Sequence, residues 1–265
     1  MIQDSDSSEE FRAELRAALH DGDLAMHYQP IVDLATSEIA GFEALMRWSH
    51  PERGWIPPDV FIPLAEQSDL IIELGDFALR EATTAASGWN RDDECFVTVN
   101  VSARQFSDPG LVDTIKTALK QSGLAPSQLV LEITESAALS DVGEAMRTLG
   151  HLRRRGVGIA LDDYGTGHAS LSYLVNLQPT ILKIDKSFVD LKWAGVRDDL
   201  VLEAIVALSS RLKVATIAEG IETPAQLERM CDVGCQKGQG YLFSSAVPAS
   251  EVPRQLRRSR PESVA

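Results

Sequence analysis

Eight short apolar or β-branched runs recur along the chain, at roughly Leu24 to Val32, Glu38 to Trp48, Phe96 to Val101, Leu129 to Glu135, Gly158 to Asp163, Ile181 to Asp185, Val214 to Glu219 and Gly238 to Phe243. From the second run onward each gap carries a segment of helical period, the pattern of a mainly parallel α/β fold. The first two runs are separated only by a polar turn around Asp33 to Ser37. That gap is too short for a helical crossover, so the pair is expected to be antiparallel. Two architectures remain: a (β/α)8 TIM-like barrel whose first strand is antiparallel to the rest, and an open doubly wound sheet. The barrel is favoured, because no Gly-rich phosphate fingerprint follows the first strand and polar residues mark nearly every strand end.

The 265 residues, 44% of them hydrophobic, suffice for one such barrel. Residues 1–20 read as a linker and leading helix, with Ser7 and Glu10 as a capping box opening the run Phe11 to Leu19. Residues 21–250 form the barrel, and 251–265, with four Arg and a Pro after position 253, read as a frayed tail. The net charge of −14 disfavours a protein that grips polymeric nucleic acid by neutralising many phosphates. A small anionic substrate stays compatible with it, since cations inside one cleft reverse the local field. No apolar run reaches the ~20 residues of a spanning helix, and Met1 is followed by acidic residues, so no membrane insertion and a cytoplasmic location are expected. Cys95, Cys231 and Cys235 are odd in number and in hydrophobic surroundings, as reduced thiols are; Cys231 and Cys235 lack a second pair at zinc-site spacing.

Run after run ends in a carboxylate, amide or amine. Glu43 lies in the second, Asn100 closes the third, Glu132 and Glu135 the fourth, Asp162 and Asp163 the fifth, and Lys183 and Asp185 the sixth. Glu219 and Glu222 follow the seventh, and Gln239 sits in the eighth. A barrel gathers all these ends on one rim. So many carboxylates need protons or cations between them, and their density favours cations. The candidate ligands are all oxygens, which selects Mg²⁺ or Mn²⁺ over zinc or copper. Adjacent Asp162 and Asp163 could bridge two ions roughly 3.5–4 Å apart, the spacing used in phosphoester hydrolysis. Each residue also has an ordinary reading: a strand-end acid as helix cap or surface charge, Lys183 as the ion-pair partner of a buried carboxylate, Asn100 as a turn residue. Repetition at the same place on five consecutive strands outweighs it. The segment Leu161 to Leu171 carries two glycines suited to a mobile loop that begins at the proposed bridging acids.

Together these residues resemble the EAL family of cyclic di-GMP phosphodiesterases, from about Leu24 to Phe243. The signature tripeptide is Glu43-Ala44-Leu45, followed by Arg47. It comes with YQPIV at Tyr28 to Val32, FIPLAE at Phe61 to Glu66, NVSARQF at Asn100 to Phe106 and LEITES at Leu131 to Ser136. DDYGTG at Asp162 to Gly167, LKIDKSFV at Leu182 to Val189, AEGIE at Ala218 to Glu222 and QGYLF at Gln239 to Phe243 complete the order. The resemblance implies hydrolysis of cyclic di-GMP to linear 5′-pGpG with two Mg²⁺ or Mn²⁺ ions. It implies Glu43, Asn100, Glu132 and Asp162 on one ion and Asp162, Asp163 and Glu219 on the other. Lys183 and Glu219 would handle the attacking water, Glu43 would share in catalysis through its metal, and Glu135 would hold the loop 163–170. Gln29, Leu45, Arg47, Asp185, Glu222 and Gln239 are the implied substrate-side positions. A homodimer is expected, and upstream sensory or GGDEF domains are common in the family.

The chain departs from the family pattern at Asp69, where Gly is usual, and at Ser244 to Pro248. Tyr164, His168 and Ala169 stand for the usual Phe, Tyr and Ser. Two rivals stand beside hydrolysis of cyclic di-GMP: a non-catalytic receptor for the same ligand, and a barrel hydrolase for another phosphate ester.

Overall fold

The computed structural model describes residues 5–89, 95–134, 142–164, 176–190 and 196–259. Strands β1 (Leu24–Asp33), β2 (Ile39–His50), β4 (Phe96–Val101), β5 (Leu129–Thr134), β6 (Gly158–Tyr164), β7 (Ile181–Ile184), β8 (Ala215–Ala218) and β9 (Lys237–Gly238) close into a barrel. β1 runs antiparallel to β2 and β9, and the other barrel pairings are parallel. The reversal follows from the tight connection after β1. Asp33 Oδ1 accepts from the backbone N–H groups of Ala35 and Thr36 at 3.0 and 3.1 Å, and Ser37 takes φ +62°.

Strand alternation sorts each strand into two faces. On β2, Phe42, Ala44, Met46 and Trp48 are buried against the helices, where Trp48 meets Phe11 and Phe61 at ring distances of 5.0 and 5.8 Å. The opposite face fills the barrel. Ile31, Val130, Ala160, Ile181 and Ile217 form one buried cluster there, and each lies two residues from Gln29, Glu132, Asp162, Lys183 or Glu219. An apolar plug therefore sits one pleat below the polar mouth. Gly41 admits it, since a Cβ at that position would stand 2.7 Å from the Phe96 ring.

Several expectations need correction. The eighth strand is only Lys237–Gly238, and residues from Gln239 turn away. The reason is the close approach at Gly240, where a Cβ would come within 2.1 Å of the Ile221 carbonyl oxygen. Two short antiparallel additions, β3 (Gly54–Ile56) on β2 and β10 (Val247–Pro248) on β1, were not anticipated. Ser7, expected ahead of the leading helix, lies within its described span Ser5–Asp21. Phe11, Leu15 and Ala18 seat that helix in the core. Val252–Ser259, expected as part of a frayed tail, is helical, with Val252 buried and Leu256 packed on the core one turn later. Cys95 and Cys235 are buried, but Cys231 is exposed on helix Pro224–Asp232. No helix of the described residues is long and apolar enough to cross a membrane.

Candidate active site

At the carboxyl ends of the strands, side chains from separate elements meet on Lys183. Its Nζ lies 2.6 Å from Glu132 Oε2, 2.6 Å from Glu219 Oε1, 3.4 Å from Asp162 Oδ1 and 3.6 Å from Glu43 Oε1. Those acids come from β5, the end of β8, β6 and β2, so barrel closure alone makes them neighbours. Glu43 is held further by Asn100 Nδ2, which donates to Oε1 at 2.9 Å, and by Gln239 Nε2, which donates to Oε2 at 2.6 Å. Gln239 also reaches Gln29 Oε1 at 3.0 Å, and Gln29 Nε2 donates to the Ser244 carbonyl at 3.1 Å. Gln29 and Glu43 are direct cross-strand partners. Between Leu161 and Tyr164, β6 spends one residue more than β7, a bulge that falls on Asp162 and Asp163.

One ammonium cannot balance four buried or half-buried acids. Burial would lower the Lys183 pKa, but Glu132, Glu43, Glu219 and Asp162 overcome it and hold the lysine well above its ordinary value. Burial also lifts Glu132 well above the usual carboxylate range, helped by Glu43 and Asp162 and opposed by Lys183. Burial pushes Glu219 up to about 7, again against Lys183. Glu43 moves the other way: its burial is outweighed by Lys183 and by the hydrogen bonds of Asn100 and Gln239, which hold it below the ordinary value. Without added cations the cluster therefore retains protons.

Of the expected site residues, Glu43, Asn100, Glu132, Asp162, Lys183, Glu219, Gln29 and Gln239 come together. Leu45 lines a neighbouring hollow of about 340 Å³ between the β2 and β4 ends and helix Pro58–Glu66, as do Asn100 and Glu132. Arg47 lies further out on the same face of β2, its Nη1 donating to the Met46 carbonyl. Asp185 caps the turn Lys186–Val189 through Ser187 N–H at 2.9 Å, and Glu222 is exposed beside Gln226, which accepts from its backbone N–H. Neither reaches Lys183. Glu135, the side chain of Asp163 and the loop residues 165–175 lie outside the described residues. Asp69 ion-pairs with Arg104 at the surface. Thr98, which sequence reasoning passed over, is buried one pleat below Asn100 with its hydroxyl unpartnered; its place in the alternation of Phe96–Val101 was the available signal.

A barrel that gathers carboxylates, amides and a lysine at the carboxyl ends of its strands defines a class of protein, the TIM-like barrels with a polar mouth. The chain belongs to the EAL domain family, whose model matches residues 12–246. It is 41% identical over 241 residues to the bifunctional diguanylate cyclase/cyclic di-GMP phosphodiesterase MucR of Pseudomonas aeruginosa, covering 90% of this chain and 35% of that protein. It is 41% identical over 249 residues to the cyclic di-GMP phosphodiesterase NbdA of the same organism, covering 93% and 32%. The chain thus spans about a third of the length of these curated relatives. The solved PaMucR phosphodiesterase in complex with c-di-GMP superposes with a TM-score of 0.87 at 41% identity, over 91% of this chain and 98% of that one.

Phosphodiesterases of this family are metal-dependent, and the mouth fits a hard cation by chemistry. Its donors are oxygens, its acids outnumber the lysine, and Glu132 Oε1 is buried without a hydrogen-bond partner. Among the described residues no three acids or imidazoles are grouped around a common point for an ion. The point they share is the Lys183 nitrogen.

Proposed function

We propose that this chain hydrolyses one phosphodiester of cyclic di-GMP to give linear 5′-pGpG, with two Mg²⁺ or Mn²⁺ ions. The observation that carries the reading is the convergence of Glu43, Glu132, Asp162 and Glu219 within 3.6 Å of one buried lysine nitrogen, on a fold shared with a phosphodiesterase solved with c-di-GMP. Glu43, Asn100, Glu132 and Asp162 would hold one ion, and Asp162, Asp163 and Glu219 the other. Bound there, the ions would acidify the attacking water and offset charge on the phosphate. Glu219 is suited by its place beside Lys183 to take the water's proton, with Lys183 orienting it. Arg47 suits a phosphate oxygen. Gln29, Leu45, Gln239, Asp185 and Glu222 would border the ligand, and Glu135 would steady the loop that follows Asp163. We further place the chain in the cytoplasm as a homodimer, joined in its full-length protein to an upstream sensory or GGDEF domain.

Chromatography of cyclic di-GMP incubated with the protein tests the reading. Linear dinucleotide should form with Mg²⁺ or Mn²⁺ and stop in Glu43→Ala and Glu219→Ala. Tight binding without product under either metal would turn the conclusion to a receptor. Faster turnover of cyclic di-AMP or cyclic mononucleotides would turn it to another hydrolase.

A further inference from the structure

Trp55 is 62% exposed, an unusual state for an indole beside a pair as well buried as Trp48 and Ile56. The register says which way it faces. Trp55 pairs with Ser49, and paired residues project to the same side of an antiparallel ladder. Ser49 shares its face of β2 with Glu43, Leu45 and Arg47, so Trp55 stands on the mouth side of the barrel. Ile56, its neighbour, pairs with Trp48 and is buried on the helix side.

The indole also reaches across β2. Its ring lies 5.7 Å from that of His27, edge to face at 70°. His27 belongs to β1 and pairs with Leu45, so Trp55 and His27 flank β2 from opposite sides, with strands spaced about 4.8 Å apart. They meet over the stretch from Leu45 to Ser49, whose middle residue on that face is Arg47. Burial and the nearby Arg47 charge hold His27 below its ordinary pKa, which places the guanidinium beside it. Tyr241, 72% exposed, is a further electrostatic neighbour of Arg47. An exposed aromatic rim therefore stands outward of the phosphate-facing arginine.

We propose that Trp55 binds substrate by stacking one base of the cyclic dinucleotide, a role that rests on the function proposed above. Phosphates held at Arg47 and at cations bound in the acidic mouth would leave the bases directed outward, toward a flat ring that solvent otherwise wets. Base–aromatic stacking is sequence-tolerant because every base has a π-face, so Trp55 contributes affinity more than choice of base. The indole contacts no reacting atom, so its loss falls on KM and leaves the chemical step to the mouth.

Steady-state kinetics with cyclic di-GMP and Mg²⁺ on the parent chain, Trp55→Ala and Trp55→Phe test this. Trp55→Ala should raise KM about tenfold or more with kcat moved far less, and Trp55→Phe should recover most of the loss. An unchanged KM in Trp55→Ala, or a loss in kcat alone, would overturn the proposal and leave Trp55 as an exposed ring for another partner. If the parent chain binds cyclic di-GMP without hydrolysing it, the hydrolase reading fails by itself. Equilibrium dialysis of the same variants then decides for Trp55, with a like weakening in Trp55→Ala expected and equal affinities refuting it.

Discussion

Lys183 is the internal counter-ion of four acids, so its removal should harm the fold as well as the reaction. Lys183→Met keeps much of the volume but strips the shared ammonium, and breaking a buried pair costs about 3–5 kcal/mol because uncompensated charge stays behind. We expect a matching fall in stability by urea unfolding in chelator, partial recovery with Mg²⁺ or Mn²⁺, and no turnover. Equal stability of parent and variant in chelator would contradict the counter-ion role. Glu219 gives a second signature. Its folded pKa of about 7 lies above the ordinary value of 4.5, so the native state holds the extra proton. That contribution is complete below pH 4.5 and is lost as pH rises through 7, with a ceiling of roughly 3 kcal/mol. Metal-free protein should lose stability over that window and Glu219→Gln should lose less; parallel stability-pH curves for the two would refute the assignment.

At the level of strands and turns, what the sequence disclosed depended on how local the cause was. The apolar runs of β4, β5 and β6 and the short turn after Asp33 are local, so those strands and the reversal of β1 were readable. The eighth strand was misjudged because its end is set by Ile221, far away in sequence, which crowds Gly240. The helix Val252–Ser259 was hidden by its arginines, since Val252 and Leu256 are the apolar side chains it sets on the core. Strand-end acids were readable one by one, but the distances that make Lys183 their hub, and the reach of Trp55 over β2, arise only once the barrel closes. Gly240→Ala tests the long-range cause directly. The new methyl meets the Ile221 backbone, so we expect about 1–3 kcal/mol of destabilisation. Turnover should weaken too as Gln239 shifts from Glu43. A variant as stable and active as the parent would show that the approach is not tight.

Across the whole molecule, no segment owns the mouth. Glu43 and Glu219 are 176 residues apart, and the unfolded chain cannot present them to one ion. Cation binding should therefore be linked to global unfolding, because a ligand that binds only the native state stabilises it by RT ln(1 + [L]/Kd), about 2.7 kcal/mol at a hundredfold excess over Kd. For a barrel of this size that corresponds to a rise in Tm of roughly 5–10 °C. The rise should occur with Mg²⁺ or Mn²⁺ and be small with the same concentration of Na⁺ at matched ionic strength, since general screening acts weakly on a buried cluster. Glu43→Gln should reduce it, as that substitution removes one anionic ligand while keeping an acceptor for Asn100. A Tm indifferent to divalent cations in the parent chain would mean that the acids are balanced by protons and Lys183 alone, and the two-ion chemistry would have to be abandoned.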